Sequence, residues 1–535
     1  MSRVRHRTTG SKLCKVSDTR QTFTSVVLLA ATLSACAPKA APTTPLLPAP
    51  TPAQRLASAD ALQSAGCLDC LIDAFGEYEL LRQFPAARDL ATAGAIRVAG
   101  LIARRERELG LVDGGYAQRA RTLLSSGAAV PASLSTLFDV IDALPAGGGG
   151  MTRTPTSDLD LERQRLMRIN GDLWTATLKE LAPIDELGAY MWVAFACGQT
   201  SMRDQSIDQL FEPVVPFKDT PLIVMKRATC RRIDTATLKA LGDANPRFVE
   251  LAYWYGLFAV GERKLNDADR QFDIAYGWRQ QWPSLTQSIA NVAMTSEEFE
   301  RALTFYDRTL ELEPKAVDAL LGRVRALTFL GRAEDAIATT DRLIAIGWYV
   351  GDAKYWRAFN EQELERYDDA WADVEAANKL LLNAEVPKLA GLVAYRRQQL
   401  EVSRTKFELA HLRNPNDCET FFYLGIVNAE LSTWARTAEI LPNAALCLQA
   451  NEEVYRKEIA SIQASDDPPA RKAAKIARRE QYIAKGRRQI ATSYFDTAVA
   501  CYNLSRKSEA QQYADKVVDD EQFGARAKEI LSRLR

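Results

Sequence analysis

The chain has 535 residues, too many for one hydrophobic core, and carries 68 Lys and Arg against 68 Asp and Glu. Removing residues 1–35, with their six Lys/Arg and one Asp, leaves 62 basic against 67 acidic residues. A weakly acidic body lacks the basic face that nucleic-acid binding needs, so no nucleic-acid partner is expected. Catalytic signals are also missing. His6 and His411 are the only histidines, and His411 reads as a helix-end cation rather than a general base. There is no G-x-S-x-G, H-E-x-x-H or P-loop. Acidic pairs such as Glu297-Glu298, Asp368-Asp369 and Asp519-Asp520 fall at turns, where negative charge suits a helix N-terminus. We expect no catalytic residues, no metal site and no cofactor, and therefore no enzyme.

Residues 1–35 begin with Arg3, Arg5, Arg7, Lys12, Lys15 and Arg20, then the short apolar run from Phe23 to Leu33. That run is too short to span a bilayer as a mature helix and reads as a secretion signal. It ends Leu33-Ser34-Ala35-Cys36, which resembles the lipobox of bacterial lipoproteins. The resemblance implies cleavage before Cys36, lipidation of its thiol and attachment to a membrane; Ala37 at the next position implies the outer membrane, facing the periplasm. Pro38, Pro42, Pro45, Pro48, Pro50 and Pro52 then make residues 36–58 a tether that cannot pack a core. At about 3.1 Å per residue, about seventeen such residues would hold the body up to roughly 50 Å from the membrane.

Residues 59–146 read as helical hairpins, with Ala74, Tyr78 and Leu81 in a first helix and Ala86 to Leu109 as a long second one. The Gly147-Gly148-Gly149-Gly150 run opens a flexible break over 147–158, a natural module boundary. Helical periodicity resumes over 159–246, from Leu161 to Leu181 and from Leu187 to Gly198, and reads as diverged hairpins. Val214-Val215 and Ile223-Val224 are too short to argue a sheet.

From residue 247 a fixed beat takes over. Ala268, Ala302, Ala336 and Ala370 stand 34 residues apart. Around them lie Gly256, Phe272 and Ala275, then Ala290, Tyr306, Thr309 and Pro314, then Gly331 before Ala336, then Ala358, Val374 and Ala377. The beat slips by one and resumes in Gly391, Ser403, Phe407, Ala410 and in Gly425, Thr437, Leu441, Ala444. Small residues permit two antiparallel helices to approach, and large ones fill the gap toward a neighbouring hairpin. One such pair cannot bury its apolar face alone, so copies must stack. These residues resemble the tetratricopeptide (TPR) repeat family over 247–448, without its usual first-helix tryptophan. The resemblance implies an all-α superhelical solenoid of antiparallel hairpins.

A helical insertion is expected over 449–490, and a final repeat with Ala498, Ala510 and Tyr513 plus a capping helix over 491–535. The insertion carries Arg471, Lys472, Lys475, Arg478, Arg479, Lys485, Arg487 and Arg488. We read this run as a solvated helix face balanced by Glu452, Glu453, Glu458 and Glu480. Seven cysteines follow the lipobox, and an exterior compartment favours disulfides. Cys418 opens a first helix and Cys447 closes its antiparallel partner, the best candidate pair; Cys197 and Cys230 are a second. Cys67 and Cys70 share a helix face and suit a local bridge or plain packing, and Cys501 reads as a buried thiol.

In the TPR family the first helices line the inner face. By that resemblance Tyr253, Leu257, Gln287, Asn291, Arg325, Tyr355, Phe359, Gln362, Lys388, Tyr395 and Phe422 would form a groove for a protein or peptide ligand. The expected function is a lipid-anchored scaffold assisting assembly of an envelope machine. The alternative is a solute- or glycan-binding lipoprotein that partners an outer-membrane transporter. Self-association through the solenoid ends stays open.

Overall fold

The computed structural model describes residues 50–126, 134–143, 158–198, 205–230 and 232–534. The leader 1–35, Cys36, the tether to residue 49 and the Gly-rich stretch to residue 157 lie outside them. Among the described residues every regular element is a helix, and none is long and apolar enough to cross a membrane.

The N-terminal part contains α1 (Pro52–Ala65), α2 (Leu68–Leu81), α3 (Arg88–Leu109), α4 (Tyr116–Ser125), α5 (Leu134–Ala143), α6 (Asp158–Leu181), α7 (Glu186–Gly198), α8 (Ile207–Phe211), α9 (Pro221–Thr229) and α10 (Thr235–Ala244). Helix α1 begins at Pro52, so residues 52–58 belong to it rather than to the tether expected over 36–58. Thr51 and Gln54 form a reciprocal capping box and Pro52 takes the first helical position, where its missing N–H costs nothing. Stretches 59–146 and 159–246, expected as separate modules, share one buried cluster running from Ala59 to Val292. The reason is α3. It packs against α2, α4, α5 and α7, so it is buried on nearly every side and binds both stretches together.

Being surrounded, α3 carries charge into the interior. Arg105 is fully buried and lies 3.3 Å from both Glu108 on its own helix and Glu250. Lys226 and the Tyr190 hydroxyl both donate to Glu108. Glu250 also accepts from the Leu68 backbone N–H at 2.9 Å. Burial works against ionisation of Glu108, but Lys226 and Arg105 outweigh it and hold the carboxyl far below the usual range.

The remainder is a run of hairpins: α11 (Leu251–Gly261) with α12 (Leu265–Trp278), α13 (Pro283–Thr295) with α14 (Phe299–Leu312), α15 (Val317–Phe329) with α16 (Ala333–Ile346), α17 (Val350–Glu363) with α18 (Tyr367–Asn378), α19 (Glu385–Arg396) with α20 (Leu400–Arg413), and α21 (Cys418–Glu430) with α22 (Trp434–Ala464). They are followed by α23 (Pro469–Asn503), α24 (Lys507–Asp515) and the terminal α25 (Gly524–Leu534). The glycines of the beat are sites of close approach. A Cβ at Gly256 would lie inside the Phe272 ring, and one at Gly391 would stand 2.9 Å from Phe407. Both large residues thus face the first helix of their own hairpin; Tyr306, whose own partner is Ala290, reaches Gly322 of the next.

A second periodicity emerges in the turns between the two helices of a hairpin. Arg263, Glu297, Gly331, Glu365, Gln398, Ser432 and Ser505 all take a left-handed backbone, with φ between 57° and 72°. The residue after each donates its N–H back to a carbonyl of the first helix, as Glu298 does to Ala293 at 2.8 Å and Gln399 to Ala394 at 2.9 Å. Only Gly331 adopts this conformation without steric cost. Gln398→Gly should therefore raise stability by about 0.5–1 kcal/mol in urea titration, the relief of φ exceeding the added chain entropy.

The expected insertion over 449–490 is not an independent unit. α22 simply continues past its hairpin and α23 begins early, making a two-helix arm joined at 465–468. Cys447 therefore lies within α22 rather than at its end; its sulfur is joined to Cys418 at the start of α21. Cys197 is joined to Cys230, and Cys67 to Cys70. Cys501 is a buried free thiol. His411, in the last turn of α20, stacks on Phe421 with ring centroids 4.8 Å apart. The basic run of α23 is a solvated face only at Lys485, Arg487 and Arg488; Arg471, Arg478 and Arg479 form ion pairs with Asp269, Glu297 and Glu298, more than 170 residues earlier. Arg479 also reaches the expected Glu458 at 3.0 Å, and Arg487 keeps the expected Glu452. Its hydrogen bonds to Glu452 hold that carboxyl down at about 2.

Candidate functional site

Successive first helices touch one another, α11 on α13, α13 on α15 and onward to α21 on α23, whereas successive second helices do not to the same extent. The layer whose members approach more closely is the inner one of a curved stack, so the first helices form the concave side.

The expected groove residues separate into three groups on this layer. Tyr253 and Phe422 are corrections, for both are core. Tyr253 is 2% exposed and sits 4.7 Å, centroid to centroid, from Trp282, whose indole N–H reaches the Leu109 carbonyl at 2.6 Å. The N-terminal helices thereby cover the first hairpin. Phe422 packs with Leu441, Ala444 and Leu448, covered where α23 lies on α21. The second group is spent on internal partners. Lys388 is 3.0 Å from Asp417 and from Glu419. Burial opposes its charge, but those carboxylates prevail and keep the ammonium well above the ordinary lysine range. Asn291 accepts a 2.7 Å hydrogen bond from the Tyr306 hydroxyl. Leu257, Gln287, Gln362 and Tyr395 are half-buried on their separate helices.

The third group converges. Arg325 of α15 lies 5.9 Å over the Trp356 ring of α17. Tyr355 and Phe359 flank the same indole at 5.3 and 6.0 Å. Burial, reinforced by Glu385, pushes the Tyr355 hydroxyl up to about 12, so it stays a neutral donor at ordinary pH. Phe329, 53% exposed, continues the row: it is 6.5 Å from Trp356 and stacks on Phe299 at 4.7 Å. Residues from three consecutive hairpins thus make one aromatic strip with a guanidinium above it. Phe299, Phe329 and Trp356 are absent from the sequence-based set. Phe329 follows Arg325 by one helical turn, and that spacing alone would have found it. Among the described residues no group of His, Cys, Asp and Glu is arranged to hold a metal ion.

No protein-family model and no curated protein matches the sequence. Solved structures with similar helix arrangements include YrrB, described as a TPR protein with an unusual peptide-binding site (22% identity, 33% of this chain and 91% of that one, TM-score 0.29). Others are a tetratricopeptide repeat protein from Parabacteroides merdae (15% identity, 54% and 98%, TM-score 0.33) and PilF of Pseudomonas aeruginosa (13% identity, 47% and 97%, TM-score 0.33). What identifies the fold is the molecule's own repetition. With a 34-residue beat, small residues facing large ones, a left-handed turn between the helices and an inner layer of first helices, this chain folds as an all-α, TPR-like solenoid of antiparallel hairpins.

Proposed function

We propose that this protein is a scaffold of the bacterial envelope, tethered through a lipidated Cys36, that binds a peptide segment of another protein on its inner face. The observation that supports binding there is the strip Phe329–Trp356–Phe359 with Arg325 above it, because an aromatic row left more than half exposed at Phe329 is unusual for a surface with no partner. Rigid aromatic rings beside an arginine supply apolar area and polar orientation with little loss of side-chain freedom. The lipobox-like Leu33-Ser34-Ala35-Cys36 and the proline-rich tether support the envelope half.

Photo-reactive amino acids placed at Phe359 and Gln362 in living cells should capture one protein species. The same probe at Leu412, an exposed residue of α20, should capture none. Phe329→Asp should weaken that capture by about thirtyfold, the effect of losing one dominant anchor. Equal capture from both faces would overturn the groove. Radiolabelled palmitate failing to enter the chain, or entering the Cys36→Ala variant equally, would overturn the anchor.

A further inference from the structure

The arm of α22 and α23 joins two distant parts of the solenoid, and the chemistry of that junction is specific. Near its base, Lys485 pairs with Glu419 at 2.6 Å, at the rim where first helices begin. From there to Arg471 the helix advances about 21 Å. Its tip meets the opposite rim, where the first helices of the α11–α12 and α13–α14 hairpins end. Arg471, nearly buried, donates to Asn266 at 2.6 Å, Asp269 at 2.9 Å and Glu298 at 2.8 Å. Arg478 and Arg479 both bind Glu297, and the Arg478 guanidinium lies 4.4 Å over the Phe299 ring. Asp466, in the turn of the arm, accepts from Asn266 at 3.0 Å.

Two features mark this contact as exchangeable. Residues 449–489 join none of the buried apolar clusters, so the arm is held to the far rim by charge, hydrogen bonds and one ring face. The three arginines occupy positions i, i+7 and i+8 of one helix, a single face that any basic helix could reproduce. The rim is built to receive it. Burial disfavours the Glu298 carboxylate, but hydrogen bonding from Arg471 overrides this and holds its pKa below the ordinary value. Glu297 stands on the left-handed turn residue, which aims its carboxylate off the rim toward Arg478 and Arg479.

We infer that the arm is a releasable clasp and that the acidic rim of the first two hairpins, formed by Asn266, Asp269, Glu297, Glu298 and Phe299, is a docking surface for a basic helix, so that a partner helix with cations at this spacing takes the arm's place. This concerns the rim rather than the inner face and stands whether or not that face binds a peptide. A partner arriving at the rim would also release the closure between the two rims and free the ends of the superhelix to move apart.

The test uses the full chain and a labelled peptide of its own residues 468–490. The triple reversal Arg471→Glu, Arg478→Glu, Arg479→Glu should speed amide hydrogen exchange of residues 469–485 by about tenfold, as should high salt on the unaltered protein. The peptide should bind the triple variant, bind the unaltered protein at least about tenfold more weakly, and lose binding when Glu297→Gln and Glu298→Gln are added. Hydrogen exchange within α11–α21 checks that the variant is folded. The Glu297→Gln, Glu298→Gln pair alone gives a second route to arm release if the triple variant is not. Exchange in the arm that ignores both reversal and salt overturns the clasp. Peptide binding that persists on the neutralised rim, or fails on the opened variant, overturns the docking surface.

Discussion

Glu108→Gln should cost about 3–5 kcal/mol and unfold the N-terminal helices before the repeats. The glutamine has the same shape, so no cavity forms. What changes is that Lys226 and the fully buried Arg105 lose their common carboxylate, leaving Glu250 as the anion beside Arg105. Arg104, on the same buried helix, already has guanidinium nitrogens without a partner, and the unpartnered Oε2 of Glu250 is the acceptor left beside Arg105. Removing both sides together, as Glu108→Leu with Lys226→Met, should be much milder, because a well-packed apolar pair replaces a charged one without stranding either charge. Urea titration followed by hydrogen exchange in α3, α7 and α9 separates the two cases. The pH response has a definite sign. The Glu108 carboxyl is depressed relative to its ordinary 4.5, so its contribution is complete above that value and is lost as the pH falls through the depressed folded-state pKa. A double variant as unstable as the single one would mean that geometry, not charge compensation, governs this core.

The contrast between the repeats and the arm shows what a linear sequence encodes. The beat of Ala268, Ala302, Ala336 and Ala370 is local, since each hairpin repeats the same short-range packing problem, and small-against-large spacing exposes it. The turn conformation is equally periodic but visible only at Gly331; at Glu297 or Gln398 the neighbouring helices impose the left-handed backbone on residues that do not advertise it. The clasp joins Arg471 to Asp269 across 202 residues, and nothing near either residue distinguishes this pairing from a solvated, locally balanced helix. In the groove, positions equivalent in the repeat are not equivalent in space. Tyr253 and Phe422 occupy the same frame position as Gln287 and Tyr355, yet the ends of the inner layer are covered by α3 and α23 while its middle is open. Trp356 lies beside the frame position rather than on it. It becomes central only when α15 brings Arg325 and Phe329 alongside.

Identical substitutions at two helical glycines should have opposite signs. Gly277→Ala, where an added Cβ meets nothing within 4 Å, should stabilise by up to about 1 kcal/mol, the usual gain from replacing glycine in a helix. Gly256→Ala receives the same helical gain but drives its methyl into the Phe272 ring. Phe272 is fully buried, and its ring already packs near Tyr253 at 6.1 Å, so it has no free volume to enter. Overpacking of this kind costs about 1–3 kcal/mol and exceeds the propensity term. The loss should spread beyond one hairpin. Tyr253 also bears on Trp282, so displacement of Phe272 passes from α11–α12 to α13 and weakens the stacking that each hairpin needs. Phe272→Leu added to Gly256→Ala should recover much of the loss, because the smaller side chain vacates the space the methyl requires. Thermal unfolding of the four proteins measures this directly. If both alanines stabilised the chain, the glycine of the beat would be a relic of turn chemistry rather than the point at which two helices come into contact.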